Sequence, residues 1–274
     1  MNLGNQPRME GKVVIVTGGA SGIGEASVRM FARNGAKVII ADIQDDLGQA
    51  LELELKGMYG SDDVALFVHC DVTRDADVSG VVDFAVAKHG KLDVMFNNAG
   101  IAGKPVNSIL DTDNEEFRQV FDLNVYGCFL GAKHAARVMI PAKKGVILFT
   151  ASVASVCCGT APHAYTMSKH AVVGLMKNLC VDLGQHGIRV NCISPTALAT
   201  PLTAKYLGVG KESMEAYFRE AANLKGITLV ADDVAEAAVF LASEQGRYVS
   251  GLNLLVDGGF STTNTSFSSV PKNF

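Results

Sequence analysis

Seven short apolar runs, rich in Val and Ile, recur along the 274-residue chain and restrict its fold more than any other feature. A helix-length segment follows each of the first six. This alternation is typical of a parallel sheet with helices on both faces, so we predict an α/β fold with a doubly wound parallel sheet of about seven strands. The predicted strands are VVIV at 13–16, KVIIAD at 37–42, VALFVH at 64–69, LDVMF at 92–96, GVILFT at 145–150, IRVNCIS at 188–194 and LNLLV at 252–256.

No linker, repeat or change of composition interrupts these runs. A chain of this length, with 48% hydrophobic residues, can bury the core of one large domain. We therefore interpret residues 1–274 as a single domain. Its polar end, from about 262 to 274, has no periodicity and is either a flexible tail or an arm that packs on another subunit; we favour the tail.

Charge and cysteine content exclude several classes of protein. The net charge is −4 and the 24 Lys and Arg residues are scattered, which does not favour a nucleic-acid or membrane partner. The six cysteines form no C-x-x-C pair, and no His/Cys cluster has metal-ligand spacing, so we expect reduced thiols and no metal. Because the chain lacks the apolar stretch of a signal peptide or a membrane span, we expect a soluble, cytoplasmic protein.

The first predicted strand runs directly into a glycine-rich turn, Thr17-Gly-Gly-Ala-Ser-Gly-Ile-Gly24, which a helix-like segment follows. Glycines here permit positive φ angles and let the backbone approach a pyrophosphate closely. The N-terminus of the helix then offers free N–H groups and the positive end of its dipole. The turn is typical of a Rossmann-type dinucleotide site, with contacts predicted at Gly18, Ser21, Gly22, Ile23 and Gly24.

The end of the second strand predicts which dinucleotide binds. Asp42 lies 24 residues after Gly18, where a carboxylate can accept hydrogen bonds from ribose hydroxyls and would repel a 2′-phosphate. No Arg or Lys lies among residues 18–24 or 42–46 to hold such a phosphate, so we predict NAD as the cofactor, with Ile43 beside it. Asp71 and Val72 follow the third strand; Asp71 either faces the adenine or caps the next helix.

Three motifs together resemble the short-chain dehydrogenase/reductase family. They are the T-G-x3-G-x-G turn, the run Asn97-Asn98-Ala99-Gly100 and the pair Tyr165-x-x-x-Lys169. The resemblance runs from about residue 10 to about residue 260. Segments 131–141, 165–175 and 187–195 are similar to plant dehydrogenases of specialised and hormone metabolism. The resemblance implies a homotetramer, the catalytic residues Asn124, Ser152, Tyr165 and Lys169, and further cofactor contacts at Asn98, Ala99, Gly100, Tyr165, Lys169, Pro195 and Thr200.

The residue types at these positions suit the oxidation of an alcohol. A phenol has a pKa of about 10 in water and is a poor base at neutral pH. A lysine four residues along a helix lies on the same face as Tyr165, and its positive charge favours the phenolate. Ser152, thirteen residues before Tyr165, can stabilise the charge that develops on the substrate oxygen. Ser155 is a neighbouring candidate, but the family's spacing favours Ser152.

The predicted substrate pocket is apolar. Its walls are residues 101–105, residues 153–163 and a lid from about 198 to 225, with Gly-flanked residues 208–210 as the hinge. The family usually has Gly after Pro195, and Thr196 at that place is expected to narrow the pocket. The predicted pocket residues are Ser152, Val153, Ala154, Cys158, His163, Thr196, Leu202 and Tyr206.

We therefore predict an NAD-dependent oxidoreductase that oxidises a hydrophobic secondary alcohol, such as a monoterpenoid, to its ketone or lactone, with Tyr165 as the base. Two alternatives stay open. One is a non-redox cyclase or isomerase of a terpenoid intermediate that binds NAD structurally, since fold does not determine function. The other is a protein that binds and senses NAD(H) without turnover.

Overall fold

A computed structural model describes residues 7–106, 108–159 and 161–263. It confirms the predicted α/β class: seven parallel strands form one sheet in the order β3-β2-β1-β4-β5-β6-β7. β3 and β7 begin one residue later than predicted, and β4 begins two residues later. The strands are β1 Val13–Thr17, β2 Lys37–Asp42, β3 Ala65–His69, β4 Val94–Asn97, β5 Gly145–Thr150, β6 Ile188–Pro195 and β7 Asn253–Val256.

Helices cover both faces of the sheet, because successive strand residues point to opposite faces and both sets are apolar. In β1, Val14 and Val16 pack in one core with the first, second and ninth helices. Val13 and Ile15 pack in the other core with the third, fifth and sixth helices. The helices are α1 Gly22–Arg33, α2 Asp45–Tyr59, α3 Asp75–His89, α4 Asn114–Phe121, α5 Gly127–Ala142, α6 His163–Gly184, α7 Pro201–Leu207, α8 Lys211–Ala221 and α9 Ala231–Ala242.

The strand order reverses at β1, which pairs with β2 on one side and with β4 on the other. In open α/β sheets a crevice forms at such a point, outside the carboxyl ends of the strands, and ligands bind there. The glycine-rich turn leaves β1 at this edge, and residues 98–100 leave β4 beside it. The topology therefore places both motifs at one crevice.

The described residues include no helix long and apolar enough to cross a membrane. The predicted lid contains α7 and α8, which Gly208 separates in a left-handed conformation with φ of 68°. Of the predicted tail, residues 264–274 lie outside the described residues.

Candidate active site

The glycine-rich turn has the geometry that a pyrophosphate needs. Gly18 and Gly22 adopt positive φ angles of 61° and 58°. A Cβ on Gly24 would lie 1.8 Å from the carbonyl oxygen of Gly18, so only glycine lets α1 begin this close to the turn. Ser21 precedes α1, and its side chain makes no capping hydrogen bond. A close backbone approach and an uncapped helix N-terminus fit the phosphates of a dinucleotide.

Asp42 is buried, with 4% of its surface exposed, and is not a solvated surface carboxylate. Its Oδ2 accepts a hydrogen bond of 2.9 Å from the N–H of Ala20 in the glycine-rich turn, and its Oδ1 accepts one of 3.0 Å from the N–H of Gln44. The Gln44 amide nitrogen lies 3.3 Å from Ser21 Oγ and 3.2 Å from Asp42 Oδ1. Asp42 therefore ties the end of β2 to the turn, while neighbouring Ile43 is 59% exposed.

Asp71 closes a local turn. Its Oδ1 accepts hydrogen bonds from the N–H and the hydroxyl of Thr73, at 2.9 and 2.7 Å. The alternative that Asp71 caps the next helix is wrong, because α3 begins at Asp75, after Arg74. Val72 is buried against the start of α5, where a Cβ on Gly127 would lie 2.9 Å from its Cγ2.

The loops after β1 and β4 are locked together. The Thr17 hydroxyl accepts hydrogen bonds from the N–H groups of Asn98 and Ala99, at 2.9 and 3.1 Å. The Asn98 side chain donates to the carbonyl oxygens of Thr17 and Gly18 and accepts from the Thr150 hydroxyl at 2.9 Å. These bonds hold the carboxyl ends of three neighbouring strands, β1, β4 and β5, in one fixed arrangement.

Lys169 is buried, with 3% of its surface exposed, and lies one helical turn beyond Tyr165 on α6. Its ammonium group donates a 2.8 Å hydrogen bond to the carbonyl oxygen of Thr150 and lies 5.4 Å from the centre of the Tyr165 ring. Thr150 ends β5, two residues before Ser152. The lysine therefore links the tyrosine helix to the strand that leads to the serine.

Asn124 lies in a π-helical turn, residues 122–126, between α4 and α5. Such turns often occur at functional sites. Its side chain binds both backbone groups of Ile101, each at 2.9 Å, and donates to the Ser168 hydroxyl, which in turn donates to the Tyr165 carbonyl. A Cβ on Gly100 would lie 3.4 Å from Asn124 Oδ1 and 3.5 Å from Lys169 Nζ. Asn124 and Lys169 therefore meet beside Gly100.

The two candidate serines have different surroundings. Ser155 is part of a buried network: its hydroxyl donates to the Ser152 carbonyl at 2.7 Å and lies 3.3 Å from Ser194 Oγ. The Ser152 hydroxyl accepts a 3.2 Å hydrogen bond from the N–H of Ala154, and it donates to none of the described residues. Ser152 thus keeps a proton available for a ligand, whereas Ser155 holds β6 and β7 in place.

The predicted pocket residues differ in exposure. Val153 and Ala154 are buried, Cys158, His163 and Leu202 are exposed, and Thr196 and Tyr206 are half-buried. The N–H of Thr196 donates to the Val256 carbonyl at 3.2 Å, and its φ is not positive, so a side chain fits where the family usually has glycine.

The lid begins against the glycine-rich turn. A Cβ on Gly22 would lie 3.5 Å from both Thr200 and Pro201. The Thr200 side chain caps α7 by accepting a 3.3 Å hydrogen bond from the N–H of Thr203. Thr200 therefore lies beside the glycine-rich turn.

One wall of the site was absent from the sequence prediction. This wall is α4: a small cavity lies between α4 and residues 102–104 and 162–164. Glu116 and Phe117 are among the α4 residues that line it. Glu116 accepts a hydrogen bond from the N–H of Lys104 and so holds the predicted pocket loop. The signal in the sequence was Asp113, three residues before Glu116: it caps α4 by accepting from the N–H of Glu116 at 2.8 Å.

The buried cysteines are poor nucleophiles. Burial raises the pKa of the Cys70 thiol to about 12 and that of Cys128 to about 11. Burial also raises the pKa of Cys157, and nearby Asp257 adds to the effect. Among the described residues, no group of three or more His, Cys, Asp or Glu side chains could hold a metal ion.

A family model described as enoyl-(acyl carrier protein) reductase matches residues 18–261. A short chain aldehyde dehydrogenase 1 of Euphorbia lathyris is 56% identical over 270 residues, which cover 96% of this chain and 92% of the relative. The chain belongs to the short-chain dehydrogenase/reductase family. Another plant member, (+)-borneol dehydrogenase 2 of Salvia officinalis, is 54% identical over 263 residues, covering 94% of this chain and 92% of that one.

A solved structure of the same family shares the fold. It is a 3-ketoacyl-(acyl-carrier-protein) reductase from Brucella melitensis complexed with NADH, and it is 35% identical, with a TM-score of 0.84. The match covers 92% of this chain and 99% of that one. Family membership and the shared Rossmann-type fold identify the protein as an oxidoreductase of this family.

Proposed function

We propose that the protein is an NAD-dependent dehydrogenase that oxidises a hydrophobic secondary alcohol to a ketone or lactone. The position of Lys169 is the observation that carries the proposal. Its ammonium group is buried, bound to the Thr150 carbonyl and 5.4 Å from the Tyr165 ring centre. Lys169 therefore places a cationic side chain beside the ring of Tyr165, the residue that we propose as the base.

Tyr165 accepts the proton of the substrate hydroxyl, and Ser152 donates a hydrogen bond to the same oxygen as charge develops on it. Asn124 holds Ile101 on one side and Ser168 on the other, which keeps α6 in register with the loop after β4. NAD, when bound, supplies the hydride acceptor. The chain's residues orient the alcohol and move its proton.

The charges around the end of β2 support NAD over NADP. Asp42 accepts a hydrogen bond from the N–H of Ala20 in the glycine-rich turn. We propose that its carboxylate binds the ribose hydroxyls of the cofactor there. Asp45 and Asp46 begin α2 three and four residues later. A 2′-phosphate would meet these carboxylates, with no Lys or Arg among residues 18–24 or 42–46 to balance its charge. Selection against NADP is therefore electrostatic.

The apolar character of the predicted walls supports a hydrophobic substrate. Val153 and Ala154 follow Ser152 directly, and Leu202 and Tyr206 of α7 lie on the lid. Apolar walls with a few polar groups that fix orientation suit a ring alcohol better than a sugar or an acid. The relative from Salvia officinalis is named for borneol, a monoterpenoid alcohol. We propose that this chain accepts an alcohol of the same class.

The test is the appearance of NADH with a panel of monoterpenoid, lignan and other apolar alcohols. Calorimetry of NAD binding runs beside it. We expect one class to reduce NAD, and we expect Tyr165→Phe to lose turnover while it still binds NAD. Because oxidation releases a proton, the rate should rise from about pH 6 to about pH 9. A protein that binds NAD, reduces none with any alcohol and transforms a substrate without redox change would be a cyclase or isomerase instead.

We also propose that the protein is a homotetramer. α5 and α6 carry exposed apolar side chains, including Phe129, Met167 and Val181, which would be costly to leave in water. Light scattering should give four times the chain mass. A mass equal to that of one chain would contradict the proposal.

A further inference from the structure

A second cleft opens at the edge of the sheet opposite the dinucleotide crevice. It has a volume of about 190 Å³ and lies at the amino ends of four neighbouring strands, β1, β4, β5 and β6. Lys12, Asp93 and Lys144 directly precede β1, β4 and β5, and Arg189 is the second residue of β6. Glu244 and Arg247, from the segment after α9, complete the charged lining.

This lining carries an excess of positive charge, with four cationic and two anionic side chains. Both anions are engaged by cations or lie near them. Asp93 accepts hydrogen bonds from the N–H of Val13 at 2.9 Å and pairs with Lys91 at 2.8 Å and Lys12 at 3.7 Å. Asp93 therefore has two lysine partners, Lys91 and Lys12, for its single negative charge. The carboxylates therefore cannot balance the lysines and arginines around the cleft.

Two of the cations have no partner within the described part of the chain. Lys144 and Arg247 make neither an ion pair nor a side-chain hydrogen bond there, although both line the cleft. Arg189, in contrast, donates to the carbonyl oxygens of Leu241, Ala242 and Ser243. Its positive charge thus interacts with the negative, C-terminal end of the α9 dipole. Lys144 and Arg247 are left facing the cleft.

Like charges also approach each other here. Burial is the main cause that lowers the pKa of Lys12; Asp93 raises it, and the adjacent Lys144 ammonium group lowers it again. Two lysine ammonium groups that face one space repel each other unless an anion lies between them. The cleft is much larger than the roughly 15 Å³ that one water molecule needs, so it has room for a small oxyanion with part of its hydration shell.

We infer that this cleft binds a small dianion of the phosphate class, as the free ion or as a monoester. The net excess of two positive charges matches a dianion, and lysine and arginine are the side chains that hold phosphate oxygens in proteins. The ligand would bind N-terminal to the strands, on the other side of the sheet from the reacting groups. Its expected effect is on stability rather than on the chemistry.

Thermal unfolding in inorganic phosphate, compared with chloride at equal ionic strength, tests this inference. Millimolar phosphate should raise the unfolding midpoint by about 2 °C or more, because a ligand of the folded state stabilises it by mass action. Calorimetry should give one phosphate per chain. Glycerol phosphate distinguishes the two sources: equal stabilisation supports an ester, and stabilisation by inorganic phosphate alone supports the free ion.

The variant Lys144→Gln/Arg247→Gln should lose the response to phosphate. It should be no less stable than the wild type in chloride, since it removes two unbalanced like charges. Lys143→Asn is the matched control: it removes the adjacent positive charge outside the cleft lining, and asparagine tolerates the left-handed φ of 51° there. Arg247→Gln alone serves if the double variant does not fold. An equal response in wild type and cleft variants, or no response beyond chloride, would overturn the inference.

Discussion

The nucleotide side and the substrate side of the active-site edge are built differently. On the nucleotide side, hydrogen bonds join the ends of β1, β2 and β4: Asp42 accepts from Ala20, Thr17 accepts from Asn98, and the Asn98 side chain donates to the Thr17 carbonyl. Glycines lie there where no Cβ fits. On the substrate side, the side chains of Cys158, His163 and Leu202 are exposed, and those of Cys158 and His163 make no hydrogen bond within the described chain. The backbone on the nucleotide side is therefore fixed by several contacts at once, whereas the side chains on the substrate side can be exchanged without breaking such contacts.

This difference corresponds to what family members share, a cofactor site, and what differs between them, a substrate pocket. Rigid elements hold the groups that must meet a cofactor of fixed shape, whereas loops and a lid meet a substrate that changes between members. Lys169 lies at the boundary, because it binds Thr150 on the strand side and faces the Tyr165 ring on the helix side. Substitutions on the two sides should therefore have effects of very different size.

The largest expected effect is that of Lys169→Met at this boundary. The variant removes the buried positive charge beside Tyr165 and leaves the Thr150 carbonyl without its donor. We expect kcat/KM for alcohol oxidation to fall by about three orders of magnitude, as for the loss of acid–base catalysis. Lys169→Arg is the control that keeps the charge, and it should recover part of the activity. Equal loss in both variants would mean that geometry rather than charge matters.

The next largest effect is that of Gly24→Ala on the nucleotide side. The new Cβ would lie 1.8 Å from the Gly18 carbonyl oxygen, so α1 or the turn must move away from the phosphate position. We expect NAD to bind at least about tenfold more weakly, measured by calorimetry. Gly210→Ala on the lid is the matched control, because a Cβ there meets no atom within 4 Å. Comparable weakening in both variants would remove the contrast between the two sides.

The sequence predicted the nucleotide side better than the substrate side, for a physical reason. Strand periodicity and glycine turns are local signals, so the seven strands and the turn at residues 18–24 were recognisable. The hydrogen bond from Ala20 to Asp42 agrees with the close approach that those glycines allow. The local pattern did not fix the start of α3, which is why capping by Asp71 stayed open and proved wrong.

The substrate side depends on contacts between segments that are separated along the chain; the capping pattern of Asp113 and Glu116 could indicate where α4 begins but not what it contacts. Glu116 reaches back to the Lys104 N–H, and Asn124 reaches Ile101 from a π-helical turn that periodicity does not predict. The wall formed by α4 was therefore missed. Thr196 looked like a departure that would reshape the pocket, but its backbone does not need glycine. Its effect on substrate choice stays a prediction.

A smaller effect is expected from Asp42→Ala, which tests selectivity within the nucleotide side. The variant removes the carboxylate that we propose binds the ribose, and it also removes the acceptor for the Ala20 N–H. We expect the preference for NAD over NADP, taken as the ratio of kcat/KM values, to fall about tenfold. Asp46→Ala, at the start of α2, is the control for the acidic surroundings and should change the ratio less. If Asp42→Ala leaves the ratio unchanged, the ribose is held by other groups.

The smallest effect on NAD affinity should come from blocking Cys158 on the substrate side. Cys158 is exposed, whereas Cys70 at the nucleotide side is buried with a pKa raised to about 12 and stays a protonated thiol at pH values well below that. A maleimide at neutral pH should therefore modify Cys158 and spare Cys70, which mass spectrometry of peptides detects. The modified protein should bind NAD within about twofold of the untreated protein, because distant sites act independently.

The KM of the modified protein for the alcohol should rise, since the added group enlarges the Cys158 side chain at a predicted pocket wall. A Cys158→Ser variant treated in the same way keeps its KM, and a fall in NAD affinity confined to the labelled wild type would show that the two sides are coupled.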